Sequence, residues 1–262
     1  MKKKIGIFIA SCILMLSLCG CSEEAAVNRR TPTGSDTIKI GVRIDIRNWG
    51  YYDKEKEVFS GAEVDYARAL GKQLGYDQVE LVQVTPETLK EKLVGGEADC
   101  LVSKCTIMDT SKEEYEFSPG YYEDHGSFMV EKSSKILDLA GLVGKKIGII
   151  RGSDVRKRVL RRLRDDQLIT DADLKGTEIL EFDSFEEISQ ALNSGDIEAF
   201  AADGCILQAW MNDQRVILPE TYQDKLYGVA AIKDTPLSDS IQQAVEELGK
   251  EKVMEDILRK WY

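Results

Sequence analysis

Apolar and polar positions change rhythm several times between Ile38 and the C-terminus. Lys39-Ile40-Gly41-Val42 predicts a short strand leading into a turn, and Lys146-Ile147-Gly148-Ile149 repeats it. Between residues 63 and 74, Val64, Ala67, Leu70 and Leu74 recur at helical spacing and predict one buried stripe. From Val79 to Val84 the pattern alternates, as a strand with one buried face does.

The strongest regularity is an internal repeat. Thr85 to Lys104 (TPETLKEKLVGGEADCLVSK) matches Ser184 to Asp203 (SFEEISQALNSGDIEAFAAD) at a constant offset of 99 residues. Leu89 meets Ile188, Leu93 meets Leu192, Gly96 meets Gly195 and Asp99 meets Glu198. Each copy predicts a hydroxyl N-cap, a helix, a closing glycine and an apolar strand. Pro86 at the first helical position supports the Thr85 cap, and a Ser184–Glu187 capping box supports the second copy. Two similar sets of alternating helices and strands predict an α/β fold of two Rossmann-like lobes with largely parallel sheets. Open parallel sheets bind ligands beyond the carboxyl ends of their strands. The matched strands end at Lys104 and Asp203, so facing lobes would offer a cation from one side and a carboxylate from the other. That arrangement suits a small polar solute.

The chain opens differently. Lys2, Lys3 and Lys4 precede an uncharged run from Ile5 to Leu18. The run is too short to span a bilayer comfortably and matches the apolar core of an export signal. It closes on Leu18-Cys19-Gly20-Cys21, which resembles a bacterial lipobox with Cys21 as the acylated residue. The prediction is a lipoprotein signal at 1–20 and a flexible tether at 21–37. A lipid on Cys21 would hold the domain at the outer face of the cytoplasmic membrane.

Composition sharpens this picture. Lys and Arg number 35 against 46 Asp and Glu, a net charge of −11, and loss of the three signal lysines takes the domain to −14. Such a balance argues against a nucleic-acid partner, which needs a basic face. A single His (His125) excludes clustered-His metal sites, and no two cysteines beyond the N-terminus have zinc-finger spacing. Neither metal nor cofactor is expected. Cys100, Cys105 and Cys205 remain after the signal and lipid site, an odd and scattered set that reads as buried small hydrophobes. The basic stretch Val155–Arg164 (VRKRVLRRLR) has Val155, Val159, Leu160 and Leu163 on one side, which predicts a solvated amphipathic helix. Glu63 and Asp65 read as helix-start charges, with Glu63 within reach of the cleft.

Seven segments, taken in order, carry a family resemblance: IKIGVRID, FSGAEVDYARALGKQLG, GGEADCLVSKCTI, YEFSPGYY, LVGKKIGIIRGSD, LYGVAAIK and ILRKWY. From Ile38 to Tyr262 the chain resembles the extracytoplasmic solute-binding proteins of ABC importers. The similarity is to the polar amino-acid family, solute-binding protein family 3, with the type II periplasmic-binding fold. It implies lobe 1 at 38–124 plus 228–262 and lobe 2 at 125–227, with crossings near 123–127 and 226–228. It also implies a binding protein rather than an enzyme, monomeric, that captures an amino acid or related solute and delivers it to ABC permease subunits. Two other roles stay open: a ligand sensor working with a separate signalling partner, and a dehydratase-type enzyme on the same fold.

The resemblance also assigns residues. Asp203 falls where the family binds a ligand α-amino group. Thr106 matches a threonine that helps hold the α-carboxylate. Ser153 and Asp154 open a helix whose free amides favour an anion. Trp49 matches a first-lobe aromatic that either walls the pocket as a ligand contact or packs beneath it, with packing favoured. Ser111, in TIMDTS, stands where the family has a carboxylate-clamping arginine, which a hydroxyl cannot replace. Lys104, in a glycine position, and Arg43, in a position often acidic, are the candidate replacements, with Lys104 ranked first. Pro86 lies near the place of a lost stacking aromatic, and Tyr121 and Tyr122 are expected to pack at the first crossing.

Overall fold

A computed structural model describes residues 36–110 and 113–262. The signal at 1–20, Cys21, nearly all of the tether and Ser111 lie outside the described residues.

The first half builds β1 (Thr37–Arg43), a small antiparallel sheet of β2 (Asp45–Ile46), β3 (Gly50–Asp53) and β4 (Val58–Ser60), then α1 (Ala62–Gln73), β5 (Gln78–Val84), α2 (Leu89–Val94) and β6 (Cys100–Val102). A long strand, β7 (Tyr115–Glu131), leads to the second half: β8 (Lys146–Ile150), α3 (Val155–Asp165), β9 (Glu178–Phe182), α4 (Phe185–Ser194), β10 (Ala199–Asp203), α5 (Gly204–Gln208) and β11 (Arg215–Ile217). The chain returns along β12 (Gln223–Ile232) and ends in α6 (Pro236–Lys250) and α7 (Val253–Trp261).

One nine-stranded sheet runs β5-β1-β6-β12-β7-β10-β8-β9, with β11 attached to β7. Each end is a parallel set, β5-β1-β6 and β10-β8-β9, as the alternating pattern predicts. Between them lies an antiparallel ribbon in which β12 pairs β7 from Gln223↔Gly126 to Ile232↔Tyr115. Alternate side chains of the parallel strands enter the core, Ile38, Ile40 and Val42 on β1 and Ile147 and Ile149 on β8. On α1, Val64, Ala67 and Leu70 are buried and the helix packs on α6 and α7. The basic α3 buries Val155, Val159 and Leu163 and pairs Arg158, Arg162 and Arg164 with Asp154, Asp166 and Asp171. Cys100, Cys105 and Cys205 are free thiols and buried.

The repeat is structural. Lys39 N–H donates to Asp99 Oδ2 at 2.8 Å while Asp99 N–H donates back to the Lys39 carbonyl at 2.8 Å. Lys146 and Glu198 make the same reciprocal pair at 2.9 and 2.9 Å. Gly41 and Gly148 both sit under a neighbouring side chain, where an added Cβ would meet Leu101 at 2.5 Å or Ile197 at 2.6 Å. Gly96 and Gly195 close their helices at φ 75° and 79°. Because nothing lies within 4 Å of either added Cβ, alanine at each should cost backbone conformation alone, about 1 kcal/mol per site. Urea midpoints of Gly96→Ala and Gly195→Ala should fall together; an effect at one site only would break the equivalence.

The copies differ at their helix starts. Ser184 caps α4 by accepting from Glu187 N–H at 3.2 Å, and Glu187 reaches back to Asp183 N–H at 3.1 Å. In the first copy the expected start at Pro86 is corrected: α2 begins at Leu89 with Thr88 as N-cap. Thr88 Oγ1 accepts from Thr85 N–H at 3.0 Å, so the two threonines close a separate turn before the regular helix.

Candidate functional site

The site is built where β6 and β10 end. Beyond Val102 the backbone turns at Lys104, which adopts φ 54°, a left-handed conformation that glycine takes without strain. Lys104 N–H donates to Glu63 Oε1 at 2.6 Å, and the Tyr121 hydroxyl donates to the same oxygen at 2.5 Å. Glu63 is fully buried at the start of α1, and burial pushes its pKa up against the pull of Tyr121 and Lys104. Its Oε2 and the Trp49 indole nitrogen, both buried, make no well-formed hydrogen bond.

From this turn the Lys104 side chain crosses to the repeat-equivalent residue of the second half. Lys104 Nζ lies 2.8 Å from Asp203 Oδ2, 2.7 Å from the Tyr227 hydroxyl and 3.2 Å from Cys205 Sγ. Lys225 Nζ contacts both Asp203 oxygens, at 2.7 and 2.9 Å. Asp124 stands behind at 3.7 Å from Lys104 Nζ, accepting from the backbone N–H of His125 and Cys205. Tyr227 Oη lies 3.0 Å from Asp124 Oδ2 and 3.2 Å from Asp203 Oδ2, and its single proton serves one of them at a time. Two ammoniums and two carboxylates, each side chain no more than 14% exposed, thus form one compensated cluster. Burial alone would push Asp203 up; Lys104 and Lys225 hold it well below the usual carboxylate range. Burial likewise opposes charge on Lys104, yet Asp203 and its neighbours hold the ammonium protonated far above its ordinary value.

Lys104, Asp203 and Lys225 of this cluster line a cavity of about 490 Å³. Arg43, Asp45 and Pro86 wall it from the first half, and Ser153, Asp154, Asp183, Phe185 and Ile206 from the second. Arg43 is clamped by Asp45, with Nε to Oδ1 at 2.8 Å and Nη2 to Oδ2 at 2.6 Å. Ser153 Oγ donates to the Ile150 carbonyl at 2.8 Å, and Asp154 is paired with Arg158, whose hydrogen bond lowers its pKa. Arg151 pairs with Asp183 at 2.6 Å.

A family model described as bacterial extracellular solute-binding proteins, family 3, matches residues 38–262. The chain belongs to this family. It is 25% identical to the ABC transporter glutamine-binding protein GlnH of Bacillus subtilis (strain 168), with 100% of this chain and 97% of that protein covered. It is 27% identical to the glutamine-binding protein of Geobacillus stearothermophilus, with 88% and 94% covered. Among solved structures, an ancestral arginine-binding protein bound to arginine superposes with a TM-score of 0.67 at 28% identity, covering 87% of this chain and 98% of that one. The fold is that of the type II periplasmic binding proteins.

Within that fold, five residues singled out from sequence line one cavity: Arg43, Lys104, Ser153, Asp154 and Asp203. Thr106 lies elsewhere, bridging to Tyr227 and lining a separate, largely apolar cavity of about 230 Å³ with Cys105 and Met108. Trp49 is fully buried against Tyr122 and Tyr227 and is not among the residues that line the cavity. Lys104 spends all three of its N–H groups within the protein, so it has none left for a solute. Sequence reading missed Lys225, Asp124 and Tyr227. The alternation along β12, which sends Lys225 and Tyr227 to one face, was the available signal.

Proposed function

We propose that the protein is a lipid-anchored receptor, held through Cys21 at the outer face of the cytoplasmic membrane, that captures a small polar solute of the amino-acid class. It delivers that solute to ABC permease subunits, and it acts as a monomer and without catalysis. The carrying observation is the polar cavity of about 490 Å³, walled by both halves of the repeat at the strand ends. Relatives named for binding glutamine and arginine support the solute class. The cavity-wall aspartates are held in ion pairs, which supports binding over chemistry.

Arg43, Lys225 and the Ser153–Asp154 turn are the groups offered to the solute. The lobes divide at 38–124 plus 228–262 and 125–227 and close about the β7–β12 ribbon, so solute binding and hinge closure are one event. Titration calorimetry and thermal shift against amino acids and small carboxylates test this. A binder that raises the melting temperature in proportion to the logarithm of its concentration is expected. Absence of any heat or shift at millimolar solute removes the reading.

A further inference from the structure

The polar groups that reach the cavity are unequal in what they leave unsatisfied. Asp203 has both oxygens taken: Lys225 sits on Oδ1 and Oδ2, and Lys104 on Oδ2. The remaining aspartates of the wall are also paired, Asp45 with Arg43, Asp154 with Arg158 and Asp183 with Arg151. Glu87 also lines the cavity, is exposed and shares a hydrogen bond with Thr85. Every aspartate that lines the cavity is therefore held in an ion pair.

Donors are left over by contrast. An ammonium has three N–H groups and a guanidinium five. Lys225 uses two contacts on Asp203, which leaves one N–H on a side chain that lines the cavity. Arg43 is engaged by Asp45 through Nε and Nη2, which leaves Nη1. A solute ammonium approaching Asp203 would meet two buried ammoniums already within 3 Å of the carboxylate. A solute carboxylate would meet a free donor on Arg43 from the first half and another on Lys225 from the second.

We infer that the cavity takes a small carboxylate whose amino group is absent or acylated, because the Lys104 ammonium fills the place on Asp203 that a ligand ammonium would take. This rests on the solute-capture reading and narrows it. Lys104 is fixed for that role by its backbone: the turn at φ 54° is anchored by Glu63, and the side chain is 7% exposed.

The test is titration calorimetry on the purified full chain with matched triads. Each triad is a free L-amino acid, its N-acetyl derivative and its deaminated acid, as in glutamate, N-acetylglutamate and glutarate, extended across the common side chains. In at least one triad the N-acetyl or deaminated member should bind 10-fold or more tightly than the free amino acid. In the double variant Lys104→Gly/Lys225→Met, which empties Asp203 and suits the left-handed turn, that ratio should fall by 10-fold or more. The wild-type ratio decides the matter even if the double variant does not fold. Free amino acids binding as tightly as their partners, or more so, overturn this inference and leave solute capture standing. Silence from all three members of every triad overturns both.

Discussion

Arg215→Met should lower the melting temperature by about 10 °C. Arg215 is 2% exposed, and every donor of its guanidinium is engaged. Nε donates to Glu131 Oε1 at 3.0 Å, Nη1 to Ser189 Oγ and the Trp210 carbonyl at 2.9 Å each, and Nη2 to the Ser189 carbonyl and Asn193 Oδ1 at 2.9 Å each. These bonds tie α4 to the end of β7 and to the turn after α5. Methionine keeps the stem volume but strands Glu131 and four other acceptors. Breaking a buried pair from one side costs roughly 3–5 kcal/mol, and each kcal/mol is about 2–4 °C for a domain of this size. Lysine should rescue little, since one ammonium cannot span the fork that these acceptors define. Differential scanning fluorimetry reads the result, and a fall below about 3 °C would show the network to be dispensable.

Asp203→Ala should be comparably severe for the opposite electrostatic reason. It leaves Lys104 with Asp124 at 3.7 Å as its remaining ion-pair partner and Lys225 with no anion within salt-bridge distance among the described residues. A cost of about 3–5 kcal/mol follows for uncompensated buried charge. The pH dependence has a definite sign. Asp203 is depressed in the folded protein, because Lys104 and Lys225 outweigh the effect of burial. Its stabilisation is therefore complete above the unfolded carboxylate pKa of about 4 and is lost as pH falls below it toward the folded value. The gap in melting temperature between wild type and Asp203→Asn should be widest near neutrality and narrow below about pH 4. A gap that stays constant from pH 7 to pH 3 would mean that the Asp203 charge does not stabilise the fold.

What sequence reveals here depends on how local the determinants are. The helix–glycine–strand units are legible because their caps and spacings lie within twenty residues, and the constant offset brings out Lys104 and Asp203 together. The third and fourth members of the cluster come from the β7–β12 ribbon, whose register sets Lys225 opposite Asp124 and Gln223 opposite Gly126. Antiparallel register over a hundred residues of separation leaves no local mark. Thr106 shows the same limit: its motif spacing is right, but the turn at Lys104 directs the following residues to an apolar cavity. Arg215 looks like any loop cation until its five acceptors converge from three separate segments.

The 2.8 Å bond between Lys104 and Asp203 joins positions that correspond across the internal repeat. Two identical halves could never make it, because they would bring lysine to lysine or aspartate to aspartate. An ancestor assembled from two copies of one half would have needed a neutral or water-filled contact there. The opposed charges require the two halves to differ in sequence at this position, so that each side can change alone.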